Sequence, residues 1–379
     1  MSVYKIKSGN WRVVVDVDRD ANGTRGRRSL GTFGTRKEAE RAEREALSSR
    51  DRGIDLAPMT VTIRQLAERY LADREALGRG EKTIEEYRRI VTLYVLPHLG
   101  EKIVAKLKPA HVAEWVANLR RAGGQEARAL SPKTVRHAFA LLNAIIRWAV
   151  RMQLAGRNVC EAVTAPTASP SEAKALTSDE VRRLLSEARD SRWSAFVTLA
   201  LTTGARRGEL CGLSWGDVDL ESGVVTIRRS LSQTKARVVL KGTKSGKSRA
   251  LPLSRHAVEA LRRQRATQAA DRLRAGSAYL DEEALFTDEL GRRLTPKAAT
   301  NAFARIAGKA KISTTRLHDL RHTAATTLLI GGADVRTTAG VLGHSTPNVT
   351  LATYAHLVAD AQRDAIDRLG ESIEKLAIA

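Results

Sequence analysis

Residues 160–175, CEAVTAPTASPSEAKA, carry no hydrophobic period and are rich in Ala, Pro, Ser and Thr, so no helix or strand can bury a face along them. This break constrains the fold more than any other feature, because it forbids one continuous core. With 379 residues the chain has material for two or three bodies, each of the usual size of about 100 to 200 residues. We divide it into residues 1–59, 60–165, a linker at 166–176, and 177–379.

Within 60–165 the apolar residues recur at helical spacing. Ile63, Leu66, Tyr70 and Leu71 predict one helix; Ile84, Tyr87, Val91 and Tyr94 predict a second. A third starts at Pro109 with Val112, Trp115, Val116 and Leu119 inward. The fourth takes Ser131 as cap and Pro132 in its first turn, burying Val135, Phe139, Leu142, Ile146 and Val150. Lys133, Arg136 and Arg147 then face outward, either to meet phosphates or simply to be solvated. Upstream, 11–17 and 27–33 read as strands around the turn-rich DANG, and Thr35 with Glu38 caps a following helix. Arg25, Arg27 and Arg28 cluster at the second strand of this β-β-α module, as a DNA-facing surface or as a charged strand edge. Residues 177–379 open on another capping box, Thr177 and Glu180, and read as helices interrupted at 223–253 by three strand-like runs. The expected fold class is mainly α with small β-sheets (α+β).

The 64 Lys and Arg against 42 Asp and Glu leave a charge of +22. The excess is spread: 13 basic against 9 acidic residues in 1–59, 18 against 10 in 60–170, and 33 against 23 in 171–379. A chain basic throughout tracks an extended anion, nucleic acid or an acidic membrane surface, and is not a globule with one basic arm. Cys160 and Cys211 are far apart and lack metal-ligand spacing, which excludes a disulfide framework and fits a reducing cytoplasm. The chain opens without an apolar signal core and has no run near the roughly 20 apolar residues of a membrane span. We expect a cytoplasmic, nucleoid-associated protein with no membrane partner.

Five short segments of 177–379 hold the polar groups of interest: TTGARRGEL (202–210), GTKSGKSRALPL (242–253), HDLRHT (318–323), LGHS (342–345) and TYAHL (353–357). In this order they resemble the active-site motifs of the tyrosine recombinases, the phage-integrase family. Arg206 matches the family's first arginine, Lys244 the hairpin lysine, His318 and Arg321 the His-x-x-Arg pair, His344 the third-position His or Trp, and Tyr354 the nucleophile. Arg321 and His344 stand 23 apart, His344 and Tyr354 10 apart, similar to the family's intervals. Each motif alone is weak; six matching positions in one order are specific.

Chemistry explains why these residue types belong together. Direct attack on a phosphodiester builds negative charge on its non-bridging oxygens, and permanently charged guanidinium groups such as Arg206 and Arg321 can meet it in forks. Tyr354 offers a phenol of pKa about 10 that needs a proton acceptor or cationic surroundings, for which His318 and the arginines are candidates. Lys244 can protonate the leaving 5′ hydroxyl, and His344 can hydrogen-bond the phosphate. Glu209, three residues after Arg206, would support that arginine through an ion pair. The 3′-phosphotyrosyl product conserves the bond energy, so neither ATP nor metal is required, and no cofactor is expected.

The resemblance implies an arm-type DNA-binding module, a helical core-binding domain of SAM-like fold and a catalytic domain, acting as a homotetramer on synapsed double-stranded DNA attachment sites. For an integrase of a temperate phage or mobile element it also implies a host DNA-bending protein and an excisionase as partners. Residues 362–379, with Ile366, Leu369, Ile373 and Leu376 on one side, form a helix for docking on a neighbour or for capping the chain's own domain. Other readings remain open: a Xer-like dimer-resolution recombinase, a type IB topoisomerase, or a catalytically silent DNA-binding regulator. Residue by residue there are plainer roles too. His318 and Arg321 share a helix face that an ordinary ion pair would use, and Tyr354 has the setting of a core residue. His318 and His322 are spaced as in a zinc helix but lack its glutamate, and the glycines of 242–246 are one residue too close for a phosphate-binding loop.

Overall fold

The computed structural model describes residues 2–6, 9–17, 26–51, 61–124, 128–167, 174–243, 246, 248–312, 315–344, 346–351, 353, 354, 366 and 373. The chain divides into two compact units, Met1–Pro170 and Ser171–Ala379.

The first unit opens with an antiparallel sheet, β1 (Ser2–Lys5), β2 (Trp11–Val17) and β3 (Gly26–Phe33), in that spatial order. Helix α1 (Arg36–Asp51) follows, and Thr35 and Glu38 exchange side-chain-to-backbone bonds at its start. Val13 and Ala39, both fully buried, form the meeting point of β2 and α1. The sequence reading has two strands where the structure has three. β1, SVYK, is too short to show alternation, and pairing with β2 defines it. Arg27 and Arg28 lie on β3 opposite Asp16 and Val15, whereas Arg25 lies outside the described residues.

The helical part comprises α2 (Ile63–Ala76), α3 (Glu81–Ile90), α4 (Leu96–Leu99), α5 (Pro109–Ala122) and α6 (Pro132–Arg151). Its core gathers Leu66, Tyr70, Trp115, Leu119, Phe139, Leu142 and Ile146, the stripes that helical spacing predicts. One stretch departs from that spacing. Val91–Val95 forms a π turn, burying Val95 and leaving Tyr94 half-buried. The extra residue per turn is a local widening, and Pro97, which has no N–H to give, stands two residues beyond it. Tyr94 O accepts the Trp115 indole N–H at 2.7 Å, so a long-range bond anchors the irregular turn. On α6 the side chains of Lys133, Arg136 and Arg147 are exposed.

The second unit is built around α8 (Ser194–Thr203), apolar on all sides and buried from Ala195 to Ala200. Packed on or near it are α7 (Ser178–Ala188), whose Thr177 and Glu180 form a capping box, and α9 (Arg207–Gly212). Strands β4 (Val218–Asp219) and β5 (Val224–Ile227) lead to the hairpin β6 (Arg229–Gln233) and β7 (Val238–Gly242), after which β8 (Arg249–Pro252) returns to pair with β5. The hairpin is thus an excursion from a three-stranded sheet. Helices α10 (Arg255–Ala275), α11 (Pro296–Lys309), α12 (Asp319–Ile330) and α13 (Val335–Leu342) complete the unit. Among the described residues of the chain, no helix is long and apolar enough to cross a membrane.

Candidate active site

The centre of the site is the end of a helix. α13 begins on Asp334, whose carboxylate accepts the N–H groups of Arg336 and Thr337, and stops at Gly343 with φ +68°. A helix leaves its last carbonyls without internal donors and carries partial negative charge there. Three arginines from other elements supply the donors. Arg249 Nε donates to Val341 O at 3.0 Å, Arg321 Nη1 to Leu342 O at 2.7 Å, and Arg206 Nη2 to Gly343 O at 3.1 Å. A Cβ on Gly343 would come 2.5 Å from the Arg249 guanidinium, so glycine serves both the backbone and the close approach.

Three like charges held together need a counter-charge as well. Glu209 provides it from α9, at 1% exposure. Its carboxylate accepts from Arg206 N–H (3.0 Å) and Nη1 (2.9 Å) and from Arg249 Nη2 (2.7 Å). Burial alone would raise the Glu209 pKa, but hydrogen bonding and charge from Arg249, then Arg206, hold it below the ordinary carboxylate value. A carboxyl depressed in the folded state adds stability above its unfolded pKa and loses it as pH falls through the folded value. Glu209→Gln is therefore expected to melt lower at pH 7 and to show a shallower loss of Tm on acidification than wild type. A Tm difference that does not narrow toward acid pH would refute this.

Arg321, 4% exposed, also donates through Nη1 to Gly204 O at 2.7 Å. Gly204 ends α8 with φ +58°, and a Cβ there would meet Leu342 Cδ2 at 2.5 Å and Ala324 Cβ at 3.3 Å. Gly204→Ala should cost more than about 1 kcal/mol, since strain adds to the collision, and lower the Tm by several degrees. An unchanged melt would mean that the turn is looser than described. Burial, with Arg206 nearby, lowers the Arg321 pKa to about 10, which leaves it charged at neutral pH. Its Nη2 is buried and has no hydrogen-bond partner among the described residues. A buried guanidinium N–H without an acceptor costs free energy, and an anion entering the pocket would satisfy it.

His344 follows Gly343, with Nδ1 2.7 Å from Thr350 Oγ1. Burial and then the charges of Arg321, Arg206 and Arg249 push its pKa down to about 4, so the ring is neutral. Tyr354 is 2% exposed and packs with Ala325, Leu329 and Leu342. Burial raises its phenol to about 12 against the opposing charge of Arg321. The hydroxyl lies 2.6 Å from Nδ1 of His322, and that ring stands edge-on to the exposed His318, centroids 5.1 Å apart.

The structure thus brings Arg206, Glu209, His318, Arg321, His344 and Tyr354 into one region. Lys244 lies outside the described residues; the loop that holds it joins β7 to β8, which starts at Arg249. Two members of the site escape the sequence reading. His322 stands out only through its spacing from His318, and Arg249 is hidden in a strand-like run.

A family model described as Phage integrase family matches residues 174–360; an Arm DNA-binding domain model matches 1–49, and one for the phage integrase N-terminal SAM-like domain matches 62–120. A tyrosine recombinase XerC-like protein of Caldanaerobacter subterraneus is 25% identical, covering 97% of both chains. The tyrosine recombinase XerD of Mycobacterium leprae is 33% identical over 71% of this chain and 84% of its own. The chain belongs to the phage integrase family of tyrosine recombinases. Among solved structures, the Tn1549 transposon integrase with transposon right end DNA superposes with a TM-score of 0.69 at 23% identity, covering 82% of this chain and 100% of that one. This recombinase has the fold of that family: an arm-type module, a SAM-like helical domain, and a catalytic domain of helices with small antiparallel sheets. In the recombinase site, no group of three or more His, Cys, Asp or Glu is placed to hold a metal among the described residues.

Proposed function

We propose that this tyrosine recombinase cuts and reseals DNA through a 3′-phosphotyrosyl bond to Tyr354. Arg206, Arg321 and His344 bind the scissile phosphate, Lys244 protonates the leaving 5′ hydroxyl, and His318 flanks the reacting groups. What supports this above all is Arg321, whose buried Nη2 lacks a partner among the described residues in the pocket that contains the phenol. The chain already satisfies its Nη1 twice. A phosphate oxygen supplies the acceptor that Nη2 lacks, and a preorganised charge at such a position is worth about 3 kcal/mol in the barrier.

The domains take the corresponding parts. Residues 1–59 bind arm-type DNA, 60–165 and 177–379 hold the core site, and 166–176 join them. The exposed Lys133, Arg136 and Arg147 contact phosphates along α6; none has an ion-pair partner among the described residues. Arg25, Arg27 and Arg28 do so in the arm module. Exchange between two duplexes requires four strand cuts, and one tyrosine per protomer makes four protomers on the synapsed attachment sites. A host DNA-bending protein and an excisionase would then set direction. The match of residues 1–49 to an arm domain favours integration or excision of a phage or mobile element over dimer resolution.

A suicide duplex nicked beside the scissile phosphate tests the chemistry: the short strand diffuses away and traps the covalent adduct. Wild type should accumulate an adduct stable in denaturant. No adduct on the element's own junction sequence would favour a silent DNA-binding regulator, and efficient relaxation of supercoiled plasmid lacking such sites would favour a topoisomerase.

A further inference from the structure

Any phenol that attacks phosphorus must lose its proton, and the surroundings of Tyr354 limit where that proton can go. The side chain is 2% exposed, and its hydroxyl has one hydrogen-bond partner among the described residues, His322 Nδ1 at 2.6 Å. His318 is one ring further away, its centroid 5.1 Å from that of His322. We propose that His322 is the general base of strand cleavage, aligning the Tyr354 hydroxyl through Nδ1 and taking its proton as the oxygen bonds to phosphorus. The proposal rests on the function given above and adds a residue to it.

The protonation state fits the role. His322 lies on α12 with Asp319 and Arg321, one turn after the N-cap His318, faces Arg316 from the preceding turn, and meets Tyr354 from the C-terminal segment. Burial is the main influence and lowers its pKa; Asp319 opposes, while Arg321 and Arg316 add to the lowering. The ring is therefore neutral at pH 7 and free to accept. Complete ionisation of the phenol before attack is disfavoured, since burial holds it at about 12. As the oxygen forms its bond to phosphorus it loses basicity, and the proton passes to an acceptor already in contact.

The balance is then complete. The Tyr354 O–H breaks and its proton moves to Nδ1; the O–P bond forms; the P–O5′ bond breaks, and O5′ takes a proton from Lys244. In resealing, an incoming 5′ hydroxyl attacks phosphorus and gives its proton to the now neutral Lys244, while the His322 imidazolium returns its proton to the departing phenolic oxygen.

The test is single-turnover adduct formation on a nicked suicide duplex. The scissile bond is either the natural ester or a 5′-bridging phosphorothiolate, whose leaving group needs no proton. His322→Asn keeps an acceptor near the δ position but does not titrate; His322→Ala removes both. Both variants should be slower by about a hundredfold or more on both substrates, with DNA affinity unchanged. The wild-type rate should fall as pH drops below about 6.5 and the imidazole, its pKa lowered by burial, gains a proton, and His322→Asn should lose that dependence. Rescue of the variants by the phosphorothiolate would move the defect to the leaving group and overturn the proposal. Full activity in His322→Asn, or faster cleavage in His322→Ala, would also overturn it, the latter by making the contact a resting latch. A wild-type rate flat over that pH range would overturn it without any variant. Absence of a wild-type adduct would count instead against the function itself.

Discussion

Tyr354→Phe is expected to form no detectable covalent adduct with a nicked suicide duplex while binding that duplex as wild type does. The substitution deletes one oxygen and leaves the ring, which packs with Ala325, Leu329 and Leu342. Removing a covalent nucleophile costs on the order of a millionfold in rate. The structural cost is far smaller. The His322 ring, half-buried, loses its partner 2.6 Å away, a penalty of about 1 kcal/mol and a Tm drop of about 2 to 4 °C. The two effects are separable by a melt, a binding isotherm and a denaturing gel. An adduct that persists would place the nucleophile on another residue and remove the basis of the mechanism. Lost DNA binding would mean that the hydroxyl organises the protein surface instead.

Much of the frame was legible because it depends on local pattern. The stripes of α2, α5 and α6 and the capping boxes at Thr35 and Thr177 are signals read within one or two turns. β1 and β6 were not legible: SVYK and RSLSQ show no alternation, and pairing with β2 and β7 defines them. The site follows the same division. Motif order singled out Arg206, Arg321, His344 and Tyr354, because several individually weak segments in one order are specific together. It did not reveal that three guanidinium groups meet one helix end. Arg206 reaches Gly343 across 137 positions and Arg249 reaches Val341 across 92, and no periodicity spans such distances. Nor can it choose between His318 and His322 as the neighbour of Tyr354. Both fall on one face of α12, one turn apart, and the path of a segment 32 residues beyond His322 decides which it meets.

Arg321→Lys should cut single-turnover cleavage by about a hundredfold or more, although charge is nominally conserved. One guanidinium here does two tasks. Nη1 holds the carbonyls of Gly204 and Leu342, both at 2.7 Å, and Nη2, without a partner among the described residues, is the nitrogen that the proposed mechanism gives to the phosphate. An ammonium is a point donor on a flexible stem and cannot occupy both places. If it faces the phosphate, two buried carbonyls lose a donor, at about 1 to 3 kcal/mol each, and the melt shifts downward. If it faces the carbonyls, the developing charge is unmet. Ionisation adds a second penalty. Burial and Arg206 bring this arginine down to about 10 and still leave it fully charged at pH 7. The same surroundings acting on an amine of unperturbed pKa about 10.4 would bring it toward neutrality. The residual activity of Arg321→Lys should therefore decline as pH rises from about 6 to 9, a limb that wild type lacks because its arginine keeps its proton there. A lysine variant as fast as wild type, with no alkaline decline, would show that the partnerless nitrogen is not where phosphate charge is met, and the pocket would need another explanation.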